Sequence, residues 1–214
     1  MEKEKHLRKN TQKRAESAVY TAAQLFLRRG IEDVKMTDVA EASGIGVASL
    51  YRWFGTKEGL VVQAGTLLWR DLDALFENIY KADDFHKKSG YAQIEALLGI
   101  YRTLFSEHAP FIRFVANFDE FVIREGLDAE VLSQYEKSIL DFYPHFLRSF
   151  EAGLADGSVR AGLDPRAYYE TVNHAVMALA QKLLRGEILG GDRFAGSQEP
   201  ELLLKMALAY IRAV

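Results

Sequence analysis

One stretch limits what this chain can fold into more than any other: Thr37 to Leu60, T-D-V-A-E-A-S-G-I-G-V-A-S-L-Y-R-W-F-G-T-K-E-G-L. Thr37 can cap a helix that carries Val39, Ala40 and Ser43 on one side. Gly44 ends it, because glycine takes the left-handed conformation favoured at a helix C-terminus. A second short helix begins near Gly46 or Val47 and turns Leu50 and Phe54 inward at i, i+4 spacing. Two helices around a short glycine turn make a helix-turn-helix, whose second helix is narrow enough to enter a DNA major groove. Val47, Ala48 and Ser49 are small, which suits a leading end that approaches base edges closely. Behind them Tyr51, Arg52, Trp53, Thr56 and Lys57 supply hydroxyl, indole and cationic donors. Such donors hold phosphates and set register without themselves reading sequence.

Upstream, Thr11 to Arg29 places Val19, Ala22, Ala23 and Phe26 on one face and reads as an amphipathic helix closed by Gly30. The three helices form one small unit. The net charge of −3 is unevenly distributed: residues 1–60 hold 11 Lys+Arg against 8 Asp+Glu, and the remainder is net negative. Lys3, Lys5, Arg8, Lys9, Lys13 and Arg14 make a flexible basic arm. It reads either as a solvated tail or as a segment that lies along phosphates.

The patterns A-x-x-L-F-x-x-x-G-I, M-T-D-V-A-x-x-S-G-I and S-L-Y-x-W-F-x-x-K-E-x-L, within residues 14–68, resemble the N-terminal domain of the TetR family of bacterial transcriptional regulators. That resemblance implies a three-helix DNA reader followed by an all-helical ligand-binding and dimerisation domain. It implies DNA contacts from Thr37, Val47, Ala48, Ser49, Tyr51, Trp53 and Lys57, the last meeting a phosphate at the start of the fourth helix. There are two departures. The position before Val47 and the Val47-Ala48 pair are usually more polar, which shifts the expected readout toward thymine methyls. Gly59 stands where a glutamate often completes a capping box after Thr56, so that helix start is expected to be weakened.

From Gly59 onward the periodicity is helical, so the fold class is all-α, with domains expected at 1–59 and 60–214. Helices are expected over Thr56 to Tyr80, Tyr91 to Glu107, Pro110 to about Glu125, Asp128 to Ala155, Pro165 to Glu187 and Glu199 to Val214. The first of these links the two domains and has the position of a transmitter of movement between them. Aromatic rings crowd residues 101–150. They read as bundle core or, collectively, as the wall of an apolar ligand pocket opened by a bend at an interior Pro144. Candidate effector contacts are Tyr101, Phe105, Phe114, Asn117, Phe118, Phe121, Phe142, His145, Phe146 and His174. The expected effector is a hydrophobic or aromatic small molecule in a cavity of about 300 to 1,000 Å³. The last two helices are apolar over more than one face, which fits either a homodimer interface through residues 165–187 and 199–214 or a deeply buried monomer core.

Composition closes other routes. Hydrophobic residues are 49% of the chain and cysteine is absent, which excludes disulfides and thiolate chemistry and fits the cytoplasm. No run is long and apolar enough to span a bilayer, and M-E-K-E-K-H-L-R-K-N lacks a signal-peptide core. His6, His86, His108, His145 and His174 show no metal-ligand spacing, and no phosphate loop, dinucleotide fingerprint or nucleophile elbow occurs. The expectation is therefore no catalytic residues, no metal and no cofactor. The reading is a homodimeric, ligand-responsive repressor on a pseudo-palindromic DNA duplex, with a helical enzyme or small-molecule carrier as the competing class.

Overall fold

The structure is a computed structural model that describes residues 2–140, 142–185 and 198–213, with side chains in the first helix from Lys9 onward. Eleven α-helices follow in order among these residues: α1 Glu2–Arg29, α2 Met36–Ser43, α3 Val47–Phe54, α4 Lys57–Tyr80, α5 Gly90–Leu98, α6 Ile100–Glu107, α7 Ala109–Glu125, α8 Ala129–Leu140, α9 Tyr143–Ala155, α10 Pro165–Arg185 and α11 Glu199–Ile211. No strand occurs among the described residues; the only sheet-like pairing there is an isolated bridge between Val159 and Arg212. The all-α expectation holds.

The chain packs as two compact units. One comprises residues through Asp71 together with Arg113–Ile139, and the other comprises Leu72–Ile112 and Leu140 onward. In the first unit α1 buries Ala18, Ala22, Ala23 and Phe26, and these meet a core that includes Val34, Val39, Leu50, Leu60 and Val61. Full burial of such a side chain is worth about 1.5–3 kcal/mol relative to exposure. Phe118 of α7 stacks on Tyr135 of α8 at 4.1 Å between ring centroids, and Phe114 lies 5.9 Å from Phe118. Burial pushes the Tyr135 phenol up, an effect partly offset by its hydrogen bond with Trp69.

In the second unit α5 and α9 cross at glycines. A Cβ on Gly90 would stand 2.0 Å from the Gly153 nitrogen, so the crossing is backbone on backbone. Asp156 and Ser158, just past α9, accept hydrogen bonds from the Gly90 and Tyr91 N–H groups at 2.8 and 3.0 Å. Phe85, on a 3-10 turn at Phe85–Lys87, is fully buried.

Several expected boundaries are corrected. The basic arm is helical: α1 starts at Glu2, not near Thr11. The α2 N-cap is Lys35, not Thr37, because the Asp38 carboxylate accepts from the Lys35 N–H at 2.9 Å and so holds the first turn two residues earlier. The expected helix over Asp128 to Ala155 is two helices. Pro144 sits in the first turn of α9, where its missing N–H costs nothing, and so bends no helix interior. Gly99 separates α5 from α6 within the expected 91–107 helix. Residues 186 and 187 of the expected 165–187 helix lie outside the described residues.

Candidate nucleic-acid interface and effector site

The helix-turn-helix is built as the sequence pattern requires. Gly44, at φ 67°, closes α2 and donates its N–H back to the carbonyls of Ala40 and Glu41. Leu50 and Phe54 are buried at 0% and 8% exposure and fix α3 against the unit's core. With these two inward, Ala48, Tyr51 and Arg52 are exposed, and Val47, Ser49 and Trp53 are half-buried. Thr37, in the first turn of α2, is also exposed. The Arg52 guanidinium reaches the Ser49 hydroxyl at 3.5 Å. The expected DNA-contacting residues thus share a single surface-bearing segment, with small side chains leading and donors behind.

Lys57 opens α4 and sends its ammonium to the Glu32 carbonyl at 3.4 Å. The Glu32 carboxylate in turn receives the Arg124 guanidinium from α7, which also bonds Glu125 and lies 5.4 Å from the centre of the Phe121 ring. The loop between α1 and α2 is therefore held from two sides within the first unit.

Gly59 resolves one departure seen in sequence. A Cβ there would stand 2.3 Å from the Phe54 carbonyl oxygen, which already accepts the Thr56 N–H at 2.8 Å. Glutamate does not fit at this position. The cap is made one residue earlier: Thr56 accepts the Gly59 N–H at 3.4 Å, and a hydrogen bond with Thr56 is the main cause holding the Glu58 carboxyl below its ordinary value. The α4 start is thus capped by Thr56 with Glu58 in place of a box completed at position 59.

The expected effector residues fall in both packing units. Phe114, Asn117, Phe118 and Phe121 belong to the first. Tyr101, Phe142 and Phe146 belong to the second and share a cavity with Phe76, Tyr169 and Asn173. Phe105 packs on Tyr101 at 6.2 Å, His145 packs on Tyr80 at 4.0 Å, and His174 is exposed on α10 away from that lining. The Tyr101 hydroxyl donates to the Asn173 side-chain oxygen, and Asn173 also hydrogen-bonds Tyr169. Burial raises both phenols above their ordinary value, so both stay protonated. The lining holds no charged side chain. Its volume is about 20 Å³, which is room for about one water molecule; the expected cavity of several hundred Å³ is absent from these rings in this conformation. Sequence reasoning does not single out Tyr169, which joins this lining from α10.

A larger open groove, about 560 Å³, runs along α10 and α11 and is lined by Ala167, Thr171, Ala175, Leu203, Ala207 and Tyr210 among others. Leu202, Met206 and Tyr210 are more than half exposed beside it, whereas Leu204 is buried at 1%. Among the described residues no group of three or more His, Asp or Glu could hold a metal ion, and no helix is long and apolar enough to cross a membrane.

Comparison with known proteins agrees with this geometry. Residues 19–64, which span the end of α1 through the first turns of α4, match the family model described as bacterial regulatory proteins, tetR family. The chain is 30% identical over 144 residues to the HTH-type transcriptional repressor KstR2 of Rhodococcus jostii, a match that covers 67% of this chain and 66% of that protein. Its fold is similar to that of the ketosteroid transcriptional regulator KstR2 of Mycobacterium tuberculosis, with TM-score 0.62, 18% identity, and 94% and 96% of the two chains covered. It is also similar to a transcriptional regulator from Saccharomonospora viridis solved in complex with choline, with TM-score 0.70, 18% identity, and 95% and 100% covered. The chain belongs to the tetR family of bacterial regulatory proteins, whose members are ligand-responsive DNA-binding regulators of transcription, form dimers and are not enzymes.

Proposed function

We propose that this protein is a cytoplasmic repressor that acts as a homodimer on a pseudo-palindromic operator and is released by a small, uncharged, apolar effector. Residues 1–59 meet DNA, and residues 60–214 bind effector and partner. The observation that carries this reading is α3: Leu50 and Phe54 anchor it, and Ala48, Tyr51 and Arg52 stand exposed on a segment that the family model matches. Val47, Ala48 and Ser49 would lie against base edges, with thymine methyls as the apolar targets. Thr37, Tyr51, Arg52, Trp53 and Lys57 would hold phosphates.

Dimerisation is assigned to α10 and α11, where Leu202, Met206 and Tyr210 are exposed beside a groove of small residues. Pairing there would set two α3 helices one duplex turn apart, about 34–36 Å. The effector is assigned to Tyr101, Phe142, Phe146, Tyr169 and Asn173. Their lining is uncharged, and burying a charged ligand without a partner is costly. One structural neighbour is a ketosteroid regulator and another holds choline, so the effector class is taken from this lining and not from them. A ligand larger than one water has to select a more open state, and the free energy of that selection is what couples it to DNA release.

Footprinting of the purified protein on genomic fragments tests the proposal. The expected result is protection of an inverted repeat near a promoter. Recovery of no specific duplex at moderate salt would refute it and favour a helical carrier.

A further inference from the structure

We propose that the chamber of the second unit selects its effector by a single polar group: a neutral oxygen that accepts a hydrogen bond, as in a ketone or an ester, on an otherwise apolar body. This deepens the effector assignment above and rests on it. Tyr101, Tyr169 and Asn173 are the residues that set the specificity. The other walls, Phe76, Leu97, Leu98, Phe142 and Phe146, carry no polar side-chain atom. All the hydrogen-bonding capacity of the side chains in the lining therefore sits where α6 meets α10.

Tyr169 and Asn173 lie one turn apart on α10 and so share a side of the helix. The Tyr101 hydroxyl of α6 donates to the Asn173 side-chain oxygen, and Asn173 also hydrogen-bonds Tyr169. The three side chains carry four donor hydrogens, one on each phenol and two on the amide. Two hydrogen bonds join them, and their side chains form no other among the described residues. Two donor hydrogens are thus left over, whichever way the amide and the hydroxyls are turned. Spare lone pairs weigh less, because an oxygen with one partner is tolerated where a buried N–H or O–H without one is not. Burial keeps both phenols protonated, so neither turns into an anionic acceptor.

Tyr169 and Asn173 are half-buried, which leaves their spare donors within reach of water before a guest enters. A guest that fills the chamber cuts them off and has to supply an acceptor in exchange. A hydrocarbon of the same shape leaves donors buried and unpaired, and a site built to donate rejects it for that reason. A carboxylate brings acceptors together with a charge for which this lining has no cation. An ammonium brings more donors to a site that already has a surplus.

The test uses two matched sets of probes: cyclooctanone, cyclooctane and cyclooctanecarboxylate, and the larger benzophenone, diphenylmethane and diphenylacetate. Calorimetry measures their affinities for full-length wild type, Tyr169→Phe and Asn173→Leu, with release of the footprinted operator duplex followed in parallel. The ratio of ketone to hydrocarbon affinity should fall by about 3- to 10-fold in either variant, the worth of one neutral hydrogen bond. Hydrocarbon affinity should hold or rise, and the carboxylates should bind wild type least. An unchanged ratio, or a carboxylate that binds wild type more tightly than its ketone, overturns the proposal. Tyr169→Phe keeps the ring that lies 5.2 Å from Phe146, so the comparison stands even if Asn173→Leu does not fold. If no probe of either set binds wild type, the effector assignment falls and this inference falls with it. Ketones that bind while no specific duplex is found sink the regulator reading alone.

Discussion

Replacing Gly59 by alanine separates helix propensity from packing, because the two predict opposite signs. Propensity alone favours alanine over glycine within a helix by about 0.8–1 kcal/mol. Here the new methyl would meet the Phe54 carbonyl oxygen at 2.3 Å, and that oxygen is backbone already engaged by Thr56. The end of α3 has to shift, and overpacking of this kind costs about 1–3 kcal/mol. The net expectation is destabilisation by up to about 2 kcal/mol. For a chain of this length each kcal/mol lowers the melting midpoint by about 2–4 °C. Circular dichroism melts at fixed protein concentration measure it, with operator affinity measured in parallel because Phe54 seats α3. Gly59→Glu should lose at least as much, since Glu58 already bonds Thr56. A raised melting midpoint for Gly59→Ala would refute the reasoning.

Lys57→Ala should weaken binding to all duplexes alike and reduce the salt slope by about 0.9 per protomer, whereas Ala48 substitutions should change which bases are preferred; a binding-site selection with each variant checks both. Leu202→Glu and Met206→Glu should give folded monomers by sedimentation, while Leu204→Glu, at a buried site, should unfold the protein. The Asp38 carboxyl is held below its ordinary value chiefly by the Lys35 N–H, with Arg29 assisting. A depressed carboxyl contributes stability above the ordinary carboxylate range that is lost as pH falls through its lowered value. Wild type and Asp38→Asn should therefore converge in stability in strong acid and diverge near neutrality, as denaturant titrations at several pH values would show.

The helix-turn-helix is legible in the sequence because its constraints are local: Leu50 and Phe54 lie one turn apart, and Gly44 can be read from the four residues before it. Gly59 misleads for the opposite reason. Its neighbour is a carbonyl on the preceding helix, which no helical period reveals. Pro144 is compatible with both a bend and a first turn, and only packing chooses between them. The aromatic residues of 101–150 are close in sequence, yet the chain passes from one packing unit to the other after Ile112 and back after Ile139, so that Phe118 and Phe146 belong to different cores. Sequence density of rings carries no record of those crossings. The position of His174 on an apolar helix points it inward, but α10 has a second, exposed side.

The glycine crossing of α5 and α9 has a mechanical consequence. With Gly90 and Gly153 in backbone contact, and with Asp156 and Ser158 gripping the first N–H groups of α5, these two helices have no side-chain cushion through which to slide. They behave as one girder. Leu97 and Leu98 on α5 and Phe142 and Phe146 at and within α9 are then fixed walls of the small chamber, and its growth is left to the other sides. Those are the α10 wall bearing Tyr169 and Asn173, and the Phe76 ring, which lies 3.8 Å from Phe142 between centroids. Since α10 also carries the proposed dimer face, a guest that pushes this wall outward would spend its strain on the seam between subunits.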